Sequence, residues 1–418
     1  MSKRIFLGGV DICGQIGDFK RAYEKIGFKT FTFVFTESES FKNENEYSFV
    51  LYNLYPRILL EEPNIFLLFL RKIYTFLVIT PVFFLTFIRS VFLYDIYIFI
   101  WLTDSKWKYV LWLLKKFNKK IFVMFVGSDV RWRPIAIKDY KKNNVEFSPL
   151  LENINDYDIS ILNDRLRTIR ICEKYSTLIS STPDQAQLQL RPYISFGLPI
   201  DYEKINLKIS QNNIPKVSIG ITEPSFKGSY LILEELNKAK EKLNFDLIVI
   251  ENMPHSIAIE MLNESDIFIY SPYGLSLGKF GFEAMASGAL LLTGHDHKYV
   301  KYPAEEPPLV HITSKDMIEK LKYYLDHKVE REDLIKKARI WVEKYCNEEL
   351  VYKKILDCLV NKNYYDIKPE YFRNYTDFTG FPESEEYLKC CNKWTKYAQK
   401  CEWYKKYVKT GERDGLIF

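Results

Sequence analysis

The stretch GKFGFEAMASGALLLTG, Gly278 to Gly294, decides how the rest of the chain reads. Its helix-forming EAMA run ends at Ser287-Gly288 and passes directly into the apolar strand Ala289-Leu290-Leu291-Leu292-Thr293. A glycine-bearing loop, a helix start and a buried strand are the parts of a phosphate-binding α/β site. Free amides at a helix start attract an anion, and glycine lets it approach closely. A carboxylate nearby, here Glu283 at the start of the helix-forming EAMA run, can hold ribose hydroxyls. Upstream, FKGSYLILEEL (Phe226 to Leu236) places Lys227-Gly228 just before another helix.

Around these two segments strands and helices alternate. Lys216–Ile221, Asp246–Ile250 and Asp266–Tyr270 read as strands, with helices over Tyr230–Leu243 and Ile257–Asn263 between them. That alternation predicts a parallel sheet. Asp316–Asp326 and Glu330–Asn361 read as charged amphipathic helices that close the unit. The amino-terminal half repeats the scheme. Arg4–Val10 is a strand ending in Gly8-Gly9, and Gly14-Gln15-Ile16-Gly17 leads into a helix over Asp18–Ile26. Thr30–Phe35 is the next strand, so the chain opens as a Rossmann-like unit, although the GxGxxG spacing is absent. Lys120–Val126 is a further strand, followed by Gly127-Ser128-Asp129-Val130-Arg131-Trp132. Polar residues at the carboxyl end of a strand are where open α/β sheets hold ligands.

The expected fold is α/β, with two Rossmann-like domains facing across a cleft and a helical carboxy-terminal appendage. The expected boundaries are 1–202, 203–362 and 363–418, with the crossover between domains in the polar stretch from Gly197 to Pro215. The chain of 418 residues is long enough for two full cores. A formal charge of +5 is too small to indicate nucleic-acid binding, and the acidic residues in the Tyr/Trp/Lys-rich tail argue the same way. The seven cysteines show no CxxC pair. Together with the lack of a cleavable leader, they fit a reducing cytoplasm. Residues 64–92 are unusually apolar. Ile73 to Ile88 runs sixteen residues without a charge, between Arg71-Lys72 and Arg89, and is interrupted by Pro81. Cationic edges and aromatic content suit a helix lying in a membrane interface, and a buried hairpin is the alternative.

Two Rossmann-like halves, a Lys-Gly after the first strand of the second half, and G-x4-E-A-M-A-S-G together resemble the GT-B glycosyltransferases. More narrowly they resemble the retaining group-1 family that builds bacterial surface glycans. The likeness spans roughly residues 1 to 360 and is specific from Val217 to Thr293. It implies that Lys227 meets the donor pyrophosphate and that Glu283 binds the nucleotide ribose. Gly228, Gly278 and Lys279 then belong to the donor site, and Gly14 matches the glycine-rich loop of the first half. Asp129 matches a polar loop facing the reactive centre, where it orients the acceptor or the sugar; its other reading is an Asx turn or a helix cap. The likeness also implies a metal-independent reaction with no cofactor beyond the nucleotide-sugar co-substrate. The leaving phosphate itself accepts the acceptor's proton.

Two positions depart from the family pattern. Leu275 stands where a second glutamate commonly contacts the sugar, and Ile221 stands where an arginine follows Gly220. Arg131, Lys279 and Arg133 are candidates to replace that cation. His295 and His297, with Asp296, have too few ligands for a metal site and read as a surface loop. Cys390-Cys391 with Cys401 lacks zinc spacing. The expectation is a cytoplasmic glycosyltransferase, peripheral on the inner face of the membrane, with a glycan or lipid-linked acceptor. The alternative is a catalytically weakened nucleotide- or glycan-binding module of a membrane assembly complex.

Overall fold

The computed structural model describes residues 4–37, 39–41, 46–60, 64–102, 106–151, 158–202, 204–209, 212–222, 224–274, 277–297, 305–361 and 385–407. The first domain is built on strands β1 (Arg4–Gly9), β2 (Lys29–Val34), β3 (Phe49–Val50), β4 (Ile96–Ile100), β5 (Lys120–Met124) and β6 (Leu178–Ser180). They form one sheet in the order β3-β2-β1-β4-β5-β6, and every pair is parallel. Its helices are α1 (Gln15–Lys25), α2 (Ile65–Tyr74), α3 (Thr80–Val91), α4 (Trp107–Lys116), α5 (Arg133–Lys142) and α6 (Ile159–Tyr175). A strand such as Ile96-Tyr97-Ile98-Phe99-Ile100 is buried on both faces, as a parallel sheet covered by helices requires.

The second domain repeats the plan. Strands β7 (Lys216–Gly220), β8 (Asp246–Ile250), β9 (Ile267–Ile269), β10 (Leu290–Thr293) and β11 (Val310–His311) make a sheet in the order β11-β10-β9-β7-β8, also parallel. The strand order reverses between β7 and β9, and ligands of open sheets bind at such a switch point. Helices α7 (Pro224–Lys227), α8 (Ser229–Lys240), α9 (His255–Asn263), α10 (Lys279–Ser287) and α11 (Met317–Asp326) flank it.

The expected single helix over Glu330–Asn361 is two helices, α12 (Lys328–Tyr345) and α13 (Glu348–Asn361), broken at Cys346-Asn347. The expected boundary at 202/203 puts all of this in the second domain. Instead α13 returns to the first, where Val351, Tyr352, Ile355, Cys358 and Leu359 pack with Phe19, Tyr23 and the β-sheet. Helix α14 (Glu385–Gln399) also packs there, with Tyr387, Cys390, Cys391 and Trp394 in the first-domain core. Trp394 Nε1 donates to Asn163 Oδ1 on α6 at 2.9 Å. The short α15 (Glu402–Tyr407) ends the described chain, and the rest of 363–418 lies outside the described residues.

The apolar segment is one continuous helix from Ile65 to Val91, long and apolar enough by length and composition to cross a membrane. Pro81 does not interrupt it. A π-helical turn over Thr75–Ile79 precedes α3, so the proline falls near the start of α3, directly after the widened turn. The helix is not a buried hairpin either. Only one stripe of its second half, including Phe83, Phe87 and Val91, enters the core. α2 buries no residue, and Ile65, Phe66, Phe69, Phe76 and Leu77 stand mostly in the open.

Candidate functional site

Between the carboxyl ends of the two sheets lies a cavity of about 570 Å³, lined by residues of both domains. On the second-domain wall, Lys227 is the last residue of α7. Its ammonium donates to Thr222 Oγ1 (2.5 Å) and to Tyr270 Oη (2.6 Å), and it stands 4.2 Å from the Tyr270 ring centroid. Gly228 follows in the left-handed region (φ 61°) and starts α8, a turn that leaves no room for a side chain beside Tyr273. Gly278 starts α10 and has ordinary extended backbone, so its need is steric. A Cβ there would lie 2.2 Å from Tyr270 Oη. No side chain caps α10, which leaves its first amides at the cavity edge.

Lys279 crosses the cleft. Its Nζ donates to Asp18 Oδ2 (2.6 Å) and to the Cys13 carbonyl (2.9 Å), and lies 3.9 Å from Glu283 Oε1. Burial opposes the charge on this ammonium, but the carboxylates of Asp18 and Glu283 outweigh burial and hold its pKa above the ordinary lysine value. On the first-domain side, Gly14 starts α1 in the left-handed region (φ 71°), and the Phe41 ring occupies the space a Cβ would need. Arg131 and Arg133 line the cavity. Arg131 pairs with Asp184 (3.1 Å), and its guanidinium lies 4.7 Å from the ring centroid of Phe226 in the second domain.

Two sequence expectations change. Asp129 does not face the cavity. It is fully buried, and its Oδ1 accepts the amides of Val126 (3.2 Å) and Gly127 (2.9 Å). The carboxylate reaches back to amides that precede it, so it forms neither an Asx turn nor a helix cap but pins the loop that carries Arg131. Burial pushes its pKa up to about 6 although the two amide bonds act in the opposite direction. Glu283 is not at the helix start but in the second turn of α10, 3% exposed and hydrogen-bonded to His255 Nε2 at 2.9 Å. The His255 ring in turn stacks on Phe41 at 4.5 Å, so both cover the carboxylate.

Sequence reading missed Tyr270, Asp18, His255 and Phe41. Asp18 carried one signal, an acid in the first turn of a helix that follows a glycine loop. The others carried none, because each matters through a contact distant in sequence. His295 is buried rather than on a surface loop, since its amide donates to His311 Nδ1 (3.1 Å) on the neighbouring strand. Among the described residues no group of three or more His, Cys, Asp or Glu could hold a metal ion. Leu275 lies outside the described residues.

Comparison with known proteins bears on this arrangement. Residues 233–357 match a family described as "Glycosyl transferase-like". No curated protein is significantly similar in sequence. Among solved structures, sucrose-phosphate synthase from Thermosynechococcus elongatus is similar at 13% identity and a TM-score of 0.54. The match covers 85% of this chain and 97% of that one. HepE from Anabaena, solved in complex with UDP and glucose, is similar at 10% identity and a TM-score of 0.51, over 86% of this chain and 99% of that one. The fold is therefore GT-B, and residues 233–357 are glycosyl transferase-like in sequence.

Proposed function

We propose that the protein moves a sugar from a nucleotide-sugar donor to a glycan or lipid-linked acceptor at a membrane surface, in the synthesis of a surface polysaccharide or glycoconjugate. The observation that carries this reading is the meeting of the Lys227 ammonium with the amino end of α10 at the switch point of the second sheet. A diphosphate fits there, between a fixed cation and free helix amides. The UDP bound by the structurally similar HepE supports a nucleotide donor.

As the bond from the anomeric carbon to the diphosphate oxygen breaks, negative charge grows on the phosphate. Lys227 and the helix amides then stabilise the transition state more than the bound donor. These groups supply the countercharge, so the reaction is proposed to run without a metal. The new bond to the acceptor oxygen forms on the face the phosphate leaves, and the acceptor proton passes to a phosphate oxygen. This retaining course needs no side-chain base. It agrees with the cavity wall, where Asp184, the lining carboxylate among the described residues, is engaged by Arg131. Glu283 reaches the ribose once the Phe41–His255 stack over it opens.

The acceptor side is proposed to sit on the cytoplasmic face of a membrane. The open apolar face of α2 and α3 has Arg71 and Lys72 within it and Arg89 near its end. α4 extends the face with exposed Tyr109 and Trp112, the latter under the Lys116 ammonium at 5.4 Å. Because Phe83 and Phe87 of the same helix are locked in the domain core, it lies along the bilayer surface rather than through it. Incubation with a panel of nucleotide-sugars tests the enzyme reading, with product formation and anomeric configuration followed by NMR. Nucleotide binding without turnover or transfer across the panel would favour the non-catalytic module instead.

A further inference from the structure

Tyr270 touches every part of the anion site. β9 ends at Ile269, so Tyr270 emerges at the carboxyl edge of the sheet, at the switch point. Its amide donates to the Leu292 carbonyl (3.0 Å), and its ring packs 5.9 Å from that of Phe268 inside the core. The sheet, not a loop, therefore fixes where the hydroxyl stands. That hydroxyl accepts from Lys227 Nζ at 2.6 Å, while the ring lies under the same ammonium. On its other side it fills the space beside Gly278, the residue that starts α10. The next residue, Ser271, donates from Oγ to the Lys227 carbonyl (2.9 Å), so the backbone of the lysine is held from the same strand end.

A lysine side chain has many rotamers, and ordering it on ligand binding weakens the binding. Here the ordering is complete before the anion arrives. We infer that Tyr270 is the positioning residue of the donor site, holding the Lys227 ammonium over the amino end of α10 so that cation and helix amides meet one diphosphate together. The inference rests on the nucleotide-sugar reading above and adds the residue that makes two anion-binding elements act as one. It also explains Gly278: any side chain there would displace the hydroxyl that joins them.

The test is a double-mutant cycle on the full chain. Binding of UDP, GDP, ADP and dTDP is measured by calorimetry, and the tightest is used for the variants Tyr270→Phe, Lys227→Met and the double variant, each checked by thermal melting. Lys227→Met should weaken binding roughly thirtyfold, as loss of a charge-assisted contact does, and Tyr270→Phe about fivefold. The double variant should bind no more weakly than Lys227→Met alone, because Tyr270 acts through the lysine. Gly278→Ala, which displaces the hydroxyl without altering either partner, should reproduce the Tyr270→Phe loss. A merely structural tyrosine would lower the melting temperature but add its effect equally in both backgrounds, and that result overturns the inference. Unchanged affinity in Tyr270→Phe overturns it as well and leaves the donor-site reading standing. Unchanged affinity in Lys227→Met overturns both.

Discussion

The Lys279 ammonium lies 2.6 Å from Asp18 Oδ2 and so ties α10 of the second domain to α1 of the first. Both side chains are 9% exposed, and Asp18 also accepts from Arg21 at 2.5 Å. The closed arrangement of the cleft therefore has a charged pair at its centre, beside the site proposed for the diphosphate.

Asp18→Asn leaves the Lys279 ammonium buried with only Glu283 near it among its carboxylate partners, 3.9 Å away. Removing one partner of a buried pair costs about 3 kcal/mol. The expected outcome is a melting temperature lower by several degrees. Asp18→Asn combined with Lys279→Met should recover part of that loss. A melt unchanged in Asp18→Asn would show that the pair does not hold the domains.

Asp129 gives a pH signature. Its carboxyl is raised to about 6 by burial, against about 3.9 in an unfolded chain. Between those values the folded protein keeps a proton that the unfolded chain has lost. Stability therefore falls as pH rises from about 4 to about 6 and stays lower above that. Glu348, raised to about 7 by burial and by the nearby Asp18 and Asp201, acts in the same direction. The informative quantity is thus the difference between the wild-type and Asp129→Asn profiles, the variant being flatter over that window. Sugar transfer should persist in Asp129→Asn. A loss of about a hundredfold or more with the fold intact would return this residue to the reaction itself.

Phe41 covers Glu283 through His255. If nucleotide binding needs that stack open, Phe41→Ala should favour the open state. The nucleotide should then bind faster and tighter, by roughly two- to tenfold. Stopped-flow fluorescence checks this, and an association rate at or below wild type would count against the cover.

The exposed face of the Ile65–Val91 helix can be changed without touching the core. Replacing Phe66, Phe69 and Phe76 with serine should leave the melting temperature within about a degree or two, because all three project outward. Flotation with anionic vesicles should drop at least tenfold, since each buried aromatic contributes about 1.5–3 kcal/mol when fully withdrawn from water. Wild-type protein that stays at the bottom of the gradient at low salt would end the membrane reading.

Much of this was legible in the chain itself. Alternation of apolar runs with helical periods is a local property, so both parallel sheets could be read from it, as could the helix after Gly278 and the Lys227-Gly228 junction. What failed to show were contacts that join distant segments. Glu283 looked like an open helix-start carboxylate because sequence cannot show His255 lying over it. Asp129 looked available because its partners are backbone amides, which every sequence has. The return of Glu348–Asn361 to the first domain was invisible for a related reason. An amphipathic helix shows that it has an apolar face but not which core will cover it.

The sequence by itself determined the α/β architecture in two halves, the Lys227-Gly228 junction and the glycine-led helix proposed to bind an anion, and the apolar helix with its cations. Each of these is set by residue types at short spacing. Only the tertiary structure decided which groups work together. Lys227, Tyr270 and Gly278 come from three separate segments and meet because β7 and β9 lie side by side at the switch point. Lys279 meets Asp18 because the two sheets face each other across the cleft. Hydrogen bonds and ion pairs act over a few ångströms, and the fold alone brings residues more than two hundred positions apart within that range.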